Sequence, residues 1–381
     1  MQRIIRISLC VSLSLLPLWM LFSAPNAQAQ ASGPQIRITQ VDKSHFPQVT
    51  VYVSVVNEKG EPVGIDPKTI QILENNQAMQ PTEIRGGGDA NQTVPTTTML
   101  VVDISGSMDK NGKLNAAKDA AKKYVSQMRP GDQAGLMTYD TKTYYVQPIT
   151  TDTNALTAAI DRLVTGGDTA MYNALVEAEK NLEPVTGRKS IIVMTDGLDN
   201  KSQSTADNVI TGISASGLSI STIGFGDASS KGQVGLDEAE LKSLAEKAGG
   251  LYAFAGDADT LSKIYQQYGE VLQSEYALTY TSPTTLRDGV NRGLAVSLNG
   301  NVATVSTKYN PGGLLPEITA QSWSLFAAIL VALLVLLAAP FLANYGLNAY
   351  NSYKSRLPKK SRVKFNEQAP ASSAKSRVKM K

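Results

Sequence analysis

Thr98-Met99-Leu100-Val101-Val102-Asp103-Ile104-Ser105-Gly106-Ser107 runs an apolar stretch into a carboxylate and two hydroxyls spaced two residues apart. The stretch reads as a short buried strand, and the oxygen side chains sit where it exits. Hard oxygen donors of this kind suit a small divalent cation better than covalent catalysis. Two later segments offer further oxygens at the ends of regular elements: Gly166-Gly167-Asp168-Thr169 and Val193-Met194-Thr195-Asp196-Gly197. They lie far away along the chain, so only a fold that gathers strand ends on one rim brings the three together.

The surrounding pattern predicts such a fold. Strands are expected at Thr98–Ile104, Ala134–Tyr139, Ser190–Thr195, Leu218–Ile223 and Leu251–Phe254. Helices are expected at Lys113–Met128, Asn154–Leu163, Met171–Leu182, Ala206–Ser214, Glu238–Lys247 and Ala258–Gln273, the first and last with apolar residues along one face. Strand–helix alternation predicts an α/β unit, doubly wound around a mostly parallel sheet, over residues 97–274. Ligands bind beyond the carboxyl ends of such strands, where Asp103, Ser105, Ser107, Thr169 and Asp196 would share a rim.

On both sides of this unit the period changes to two. Val49, Val51, Val53 and Val55 alternate with polar residues, as do Tyr276, Leu278 and Tyr280 and then Leu294, Val296 and Leu298. Asn299-Gly300 signals a hairpin. Neither β-rich segment, 34–85 or 275–310, has enough strands to bury a core alone. The expectation is one β-sandwich built from both, with the α/β unit inserted between its halves and residues 86–96 as a linker.

Charge is segregated along the chain. The net charge is +3, yet residues 322–381 hold 10 Lys+Arg against one acid, and residues 30–321 hold 24 Lys+Arg against 32 Asp+Glu. An acidic body argues against phosphate-backbone binding, so no nucleic-acid partner is expected. Residues 1–29 have the charged start, apolar stretch and Ala27-Gln28-Ala29 site of a secretory signal. Cys10, the only cysteine, lies within that stretch, and an exported body free of disulfides fits a bacterial envelope. Residues 323–343 read as a transmembrane helix and 344–381 as a basic tail. The positive-inside rule places the tail in the cytoplasm and the main body outside, giving a single-pass cell-membrane protein.

Asp103-x-Ser105-x-Ser107, followed by Thr169 and then Asp196, resembles the metal-ion-dependent adhesion site of the von Willebrand factor type A domain. No departure from the family pattern occurs at these five positions. The resemblance implies that Ser105, Ser107 and sometimes Thr169 contact a Mg²⁺ ion (or Mn²⁺ or Ca²⁺) directly. It implies that Asp103 and Asp196 orient bound waters or, in one state, contact the ion, and that a protein partner's Glu or Asp fills the remaining position. Two neutral hydroxyls and two carboxylates at most neutralise a dication, which then keeps enough Lewis acidity to hold an acidic side chain.

An enzyme is not expected. His45 is the sole histidine and lies in the first β-rich segment, so neither a paired-histidine zinc site nor a histidine-based serine hydrolase can be assembled. Metal-dependent hydrolysis is the remote alternative. Two binding roles stay open: an adhesion or receptor-like module, and a structural subunit of an envelope complex such as a secretion or pilus apparatus. The sequence leaves the oligomeric state open.

Overall fold

The computed structural model describes residues 34–87, 93–226, 236–298, 303–313 and 323–356. The expected signal segment, the Asn299-Gly300 turn, residues 88–92 of the linker and the tail beyond Arg356 lie outside the described residues. The chain divides into one unit up to Glu317 and a second from Ile318 onward.

In the first unit, β6 (Thr96–Asp103) is the organising strand, with all eight residues buried. It pairs in parallel with β7 (Gln133–Tyr139) on one side and β9 (Arg188–Thr195) on the other. Next to β9 come β10 (Ser219–Phe225) and β11 (Gly249–Ala255), and β8 (Thr143–Thr150) closes the other edge. The order is therefore β11-β10-β9-β6-β7-β8. Successive residues of β6 point to opposite faces, as a strand requires. Leu100 and Val102 join a core with α1 (Lys113–Val125), α2 (Thr153–Asp161) and α6 (Ala258–Gln273). Met99 and Val101 join the opposite core with α3 (Met171–Leu182), α4 (Ala206–Ser216) and α5 (Glu238–Lys247). Each such side chain contributes about 1.5–3 kcal/mol by leaving water, so a polar residue at these positions is excluded.

The flanking segments form two antiparallel sheets. One has the order β1 (Gln35–Asp42), β2 (Gln48–Val56), β12 (Tyr276–Thr281), β5 (Glu83–Gly86). The other has the order β14 (Ala303–Tyr309), β13 (Arg292–Leu298), β3 (Ile70–Glu74), β4 (Gln77–Met79). Val49, Val51 and Val53 of the first pack with Ile70, Ile72, Leu294 and Val296 of the second in a single core. Each sheet mixes strands from before and after the α/β unit, which is why neither segment can close a core alone. Tyr276 pairs with Gly86, so the inserted unit leaves and rejoins the sandwich at neighbouring strands.

The two layers meet at the amino ends of the parallel strands. Arg188, at the start of β9, is fully buried and donates to Glu275 through Nε (2.5 Å) and Nη2 (2.9 Å). It also donates to Gln40 Oε1 of β1 (3.2 Å) and Ser219 Oγ of β10 (2.8 Å). Gly249, with φ +68°, lets β11 start against β1, because a Cβ there would lie 2.6 Å from the Ile38 carbonyl.

Several elements differ from the sequence expectation. β8 was not anticipated, and it runs antiparallel to β7, so the sheet is parallel except at that edge. Gly86 belongs to β5 rather than to the linker, because β12 supplies its pairing partner. α1 ends at Val125, three residues short of Met128. In the second unit α7 (Trp323–Arg356) continues through thirteen residues assigned to the tail, beyond the apolar run that ends at Ala343. Asn, Tyr and Ser do not stop a helix already propagating; they only end its apolar stretch. Among the described residues this is the one helix long and apolar enough to cross a membrane.

Breaking the Arg188–Glu275 pair leaves a buried charge uncompensated. Glu275→Ala is expected to lower the stability of the full chain in detergent by about 3 kcal/mol. The double variant Arg188→Met/Glu275→Leu should recover most of that loss. Denaturant midpoints measure both, and a single-variant loss under about 0.5 kcal/mol would refute the role of the pair.

Candidate metal centre

β6 delivers Asp103 to the carboxyl end of the sheet, beside β9, where the winding of the fold changes direction. Asp103 has no solvent exposure. Its Oδ1 accepts from the Ser105 N–H (2.8 Å), and its Oδ2 accepts from the Thr195 hydroxyl (2.8 Å) at the end of β9. The chain then turns through a short 3-10 segment, with the Met108 N–H donating to the Ser105 carbonyl (3.0 Å). This turn stacks the two serines, whose Oγ atoms lie 3.0 Å apart. The Ser107 hydroxyl donates to Asp196 Oδ1 (2.6 Å), and Lys113 Nζ donates to Asp196 Oδ2 (2.5 Å). Asp103, Ser105, Ser107 and Asp196 are thus joined in one hydrogen-bonded chain.

Thr169 reaches this chain through its loop. The Gly166 N–H donates to the Ile104 carbonyl (2.6 Å) and the Gly106 N–H to the Gly167 carbonyl (2.8 Å). Asp140 Oδ2 accepts from the Gly167 N–H (3.1 Å), and a Cβ at Gly166 would lie 2.0 Å from that oxygen. Glycine at 166 is therefore what allows the loop to lie against the serine turn. The Thr169 carbonyl accepts from the N–H groups of Asn200 (3.0 Å) and Lys201 (3.1 Å), and its own N–H donates to Asn200 Oδ1 (3.1 Å). These bonds fix Thr169, which is buried, to the loop that follows Asp196. Among the described residues no hydrogen bond joins the Thr169 hydroxyl to the other four side chains.

Burial dominates the electrostatics. Desolvation raises Asp103 from the ordinary 3.8 to about 6, against the opposing hydrogen bonds from Ser105 and Thr195. The Asp196 side chain is also fully buried, and Lys113, four-fifths covered, is the cation beside it. Among the described residues no group of three or more His, Cys, Asp or Glu side chains is placed to hold a metal ion. The oxygen donors are two carboxylates and hydroxyls.

The sequence reading gives no role to Lys113 or Thr195, and it suggests for Asp140 only a solvated loop residue or cap near the rim, whereas the structure buries it against the Gly166–Gly167 loop. Thr195 and Asp140 act behind the five residues, holding Asp103 and the Gly166–Gly167 loop, and their contacts depend on which strand ends are neighbours. Lys113 carried a readable signal. It is the first residue of α1, where a cation opposes the helix dipole, and no acid lies in that first turn.

Residues 98–198 match the family model of the von Willebrand factor type A domain. Calcium-activated chloride channel regulator 1 of Equus caballus is 26% identical over 58% of this chain and 24% of its own length. A UPF0353 protein of Mycolicibacterium vanbaalenii is 30% identical over 46% of this chain and 60% of its own. The chain therefore spans between a quarter and three fifths of these curated relatives. Among solved structures, a conserved hypothetical protein BatB of Bacteroides thetaiotaomicron is 20% identical over 46% of this chain and 98% of that one, with a TM-score of 0.39.

The raised pKa of Asp103 has a definite sign. Between about pH 4 and 6 the folded chain holds a proton that the unfolded chain has lost, so stability falls as pH rises through that window. In the presence of chelator at about pH 7.5, Asp103→Asn should melt above the wild type, by about 2 kcal/mol in stability. The advantage should shrink toward pH 5 in thermal melts. A variant that melts lower at both pH values would contradict the buried-charge account.

Proposed function

We propose that this chain, whose central unit is a von Willebrand factor type A domain, binds a protein partner through a Mg²⁺ ion held by Asp103, Ser105, Ser107, Thr169 and Asp196. The observation that carries this reading is the spacing of the donors. Oxygens around an octahedral ion at about 2.1 Å stand about 3.0 Å apart along each edge. Ser105 Oγ and Ser107 Oγ lie 3.0 Å apart, and Ser107 Oγ and Asp196 Oδ1 lie 2.6 Å apart. Three donors this close are compatible with a small ion such as Mg²⁺ or Mn²⁺, whereas Ca²⁺ prefers more oxygens at longer distances. Bound there, the ion supplies Lewis acidity toward an incoming carboxylate. Asp103, fixed by the Ser105 N–H and the Thr195 hydroxyl, supplies negative charge from behind the serines. In this reading the residues bind and orient, and the role is capture of a partner's carboxylate.

Val164 and Leu198 stand exposed in the two loops that carry Thr169 and Asp196. Apolar side chains beside a metal position favour a folded partner or peptide over a free small acid. A membrane anchor through α7, with the first unit outside the cell, would present this rim to such a partner. Adhesion or receptor-like capture is the first reading. Docking of a neighbouring envelope subunit is the second, favoured by the exposed Tyr144, Tyr145 and Val146 along the edge strand β8.

Millimolar Mg²⁺ or Mn²⁺ should raise the melting temperature of the full chain in detergent, and chelator should reverse it, because a ligand of the folded state alone stabilises that state. Identical melts in metal and chelator would remove the metal site. Partner capture from the membrane-anchored protein should occur in Mg²⁺, fail in chelator, and fail for Asp103→Ala; capture retained by that variant places recognition elsewhere. Protease added outside spheroplasts should cut the first unit and spare the basic tail. The opposite cleavage pattern would invert the topology.

A further inference from the structure

Lys113 is not one of the residues that would hold the metal, yet it occupies half of one of them. Asp196 has two oxygens: Oδ1 takes the Ser107 hydroxyl at 2.6 Å and Oδ2 takes the Lys113 ammonium at 2.5 Å. Position 113 disfavours this residue type locally. It opens α1 at the positive end of the helix dipole, behind Gly112, which has φ +70° and no side chain to cap the helix. A local choice that opposes its own helix, yet is held in a four-fifths buried ion pair, points to a role at the site. Lys201, in the loop that follows Asp196, is already paired with Asp168 at 3.3 Å.

Counting charges gives that role. Asp103 and Asp196 contribute two negative charges, and a dication alone would neutralise them. With Lys113 present, the loaded site keeps one positive charge, and one carboxylate from a partner brings it to zero. We infer that Lys113 is a built-in counter-ion that competes with the dication for Asp196, so that metal and an acidic partner side chain bind as a coupled pair. The inference rests on the metal reading above and adds a property to it. The bare chain binds metal weakly, and it holds metal firmly once a carboxylate arrives.

The test is Mn²⁺ uptake by the full chain in detergent, followed through the paramagnetic resonance signal of free Mn²⁺. Lys113→Met should bind Mn²⁺ about tenfold more tightly than the wild type, and Lys113→Arg should stay within about twofold of it. Acetate, the simplest carboxylate, should tighten Mn²⁺ binding in the wild type more than in Lys113→Met. Lys113→Gln, compared by thermal melting in chelator, guards against a folding defect peculiar to methionine. Equal or weaker Mn²⁺ binding by both neutral variants overturns the counter-ion role while leaving the metal site standing. A wild type that takes up no more Mn²⁺ than Asp103→Ala overturns the metal site and the counter-ion role together.

Discussion

Burial of β6 on both faces is the constraint from which the remaining architecture follows. Each side chain from Met99 to Val102 is covered by helices of one layer or the other, so the strand can neither slip nor twist without exposing one of them. Asp103 is therefore carried to a place water does not reach, at the crevice between β6 and β9. A carboxylate in that position is under electrostatic stress, which hydrogen bonds from Ser105 and Thr195 relieve only in part. The serine turn, the Gly166–Gly167 loop and the Asp196 loop are arranged around that stress. A nearby positive charge is its natural complement.

The same sheet separates two jobs by its length. At the amino ends of the strands, Arg188, Glu275, Gln40 and Ser219 form a polar knot that ties the α/β layer to the sandwich. At the carboxyl ends, about 25 Å away along eight-residue strands, the oxygens converge. Sequence changes at one end leave the other untouched except through the strands themselves. A loop-borne site on a rigid scaffold can vary its partner without disturbing the joint.

The legible part of this protein was whatever left a period or a spacing in the chain. The apolar run 98–102 followed by Asp103-x-Ser105-x-Ser107 announced both the central strand and the oxygen corner, and alternation in residues 49–55 and 276–280 announced the sandwich. β8 left no period. Tyr144, Tyr145 and Val146 face solvent, Pro148 interrupts the run, and its pairing with β7 shifts register around Leu136. Lys113 and Thr195 became meaningful only once β6 and β9 were adjacent, because nothing local says which carboxylate each will meet. The extension of α7 to Arg356 was hidden for a different reason: hydropathy reports where lipid ends, not where hydrogen-bonded turns end.

The pairing of Gly86 with Tyr276 has a mechanical consequence. The α/β unit is joined to the sandwich at two neighbouring strands, β5 and β12, and also packs against it through Arg188, Gln40 and Gly249. A tug on its far rim is shared by both strands and by the salt-bridged knot, instead of peeling one strand at a time.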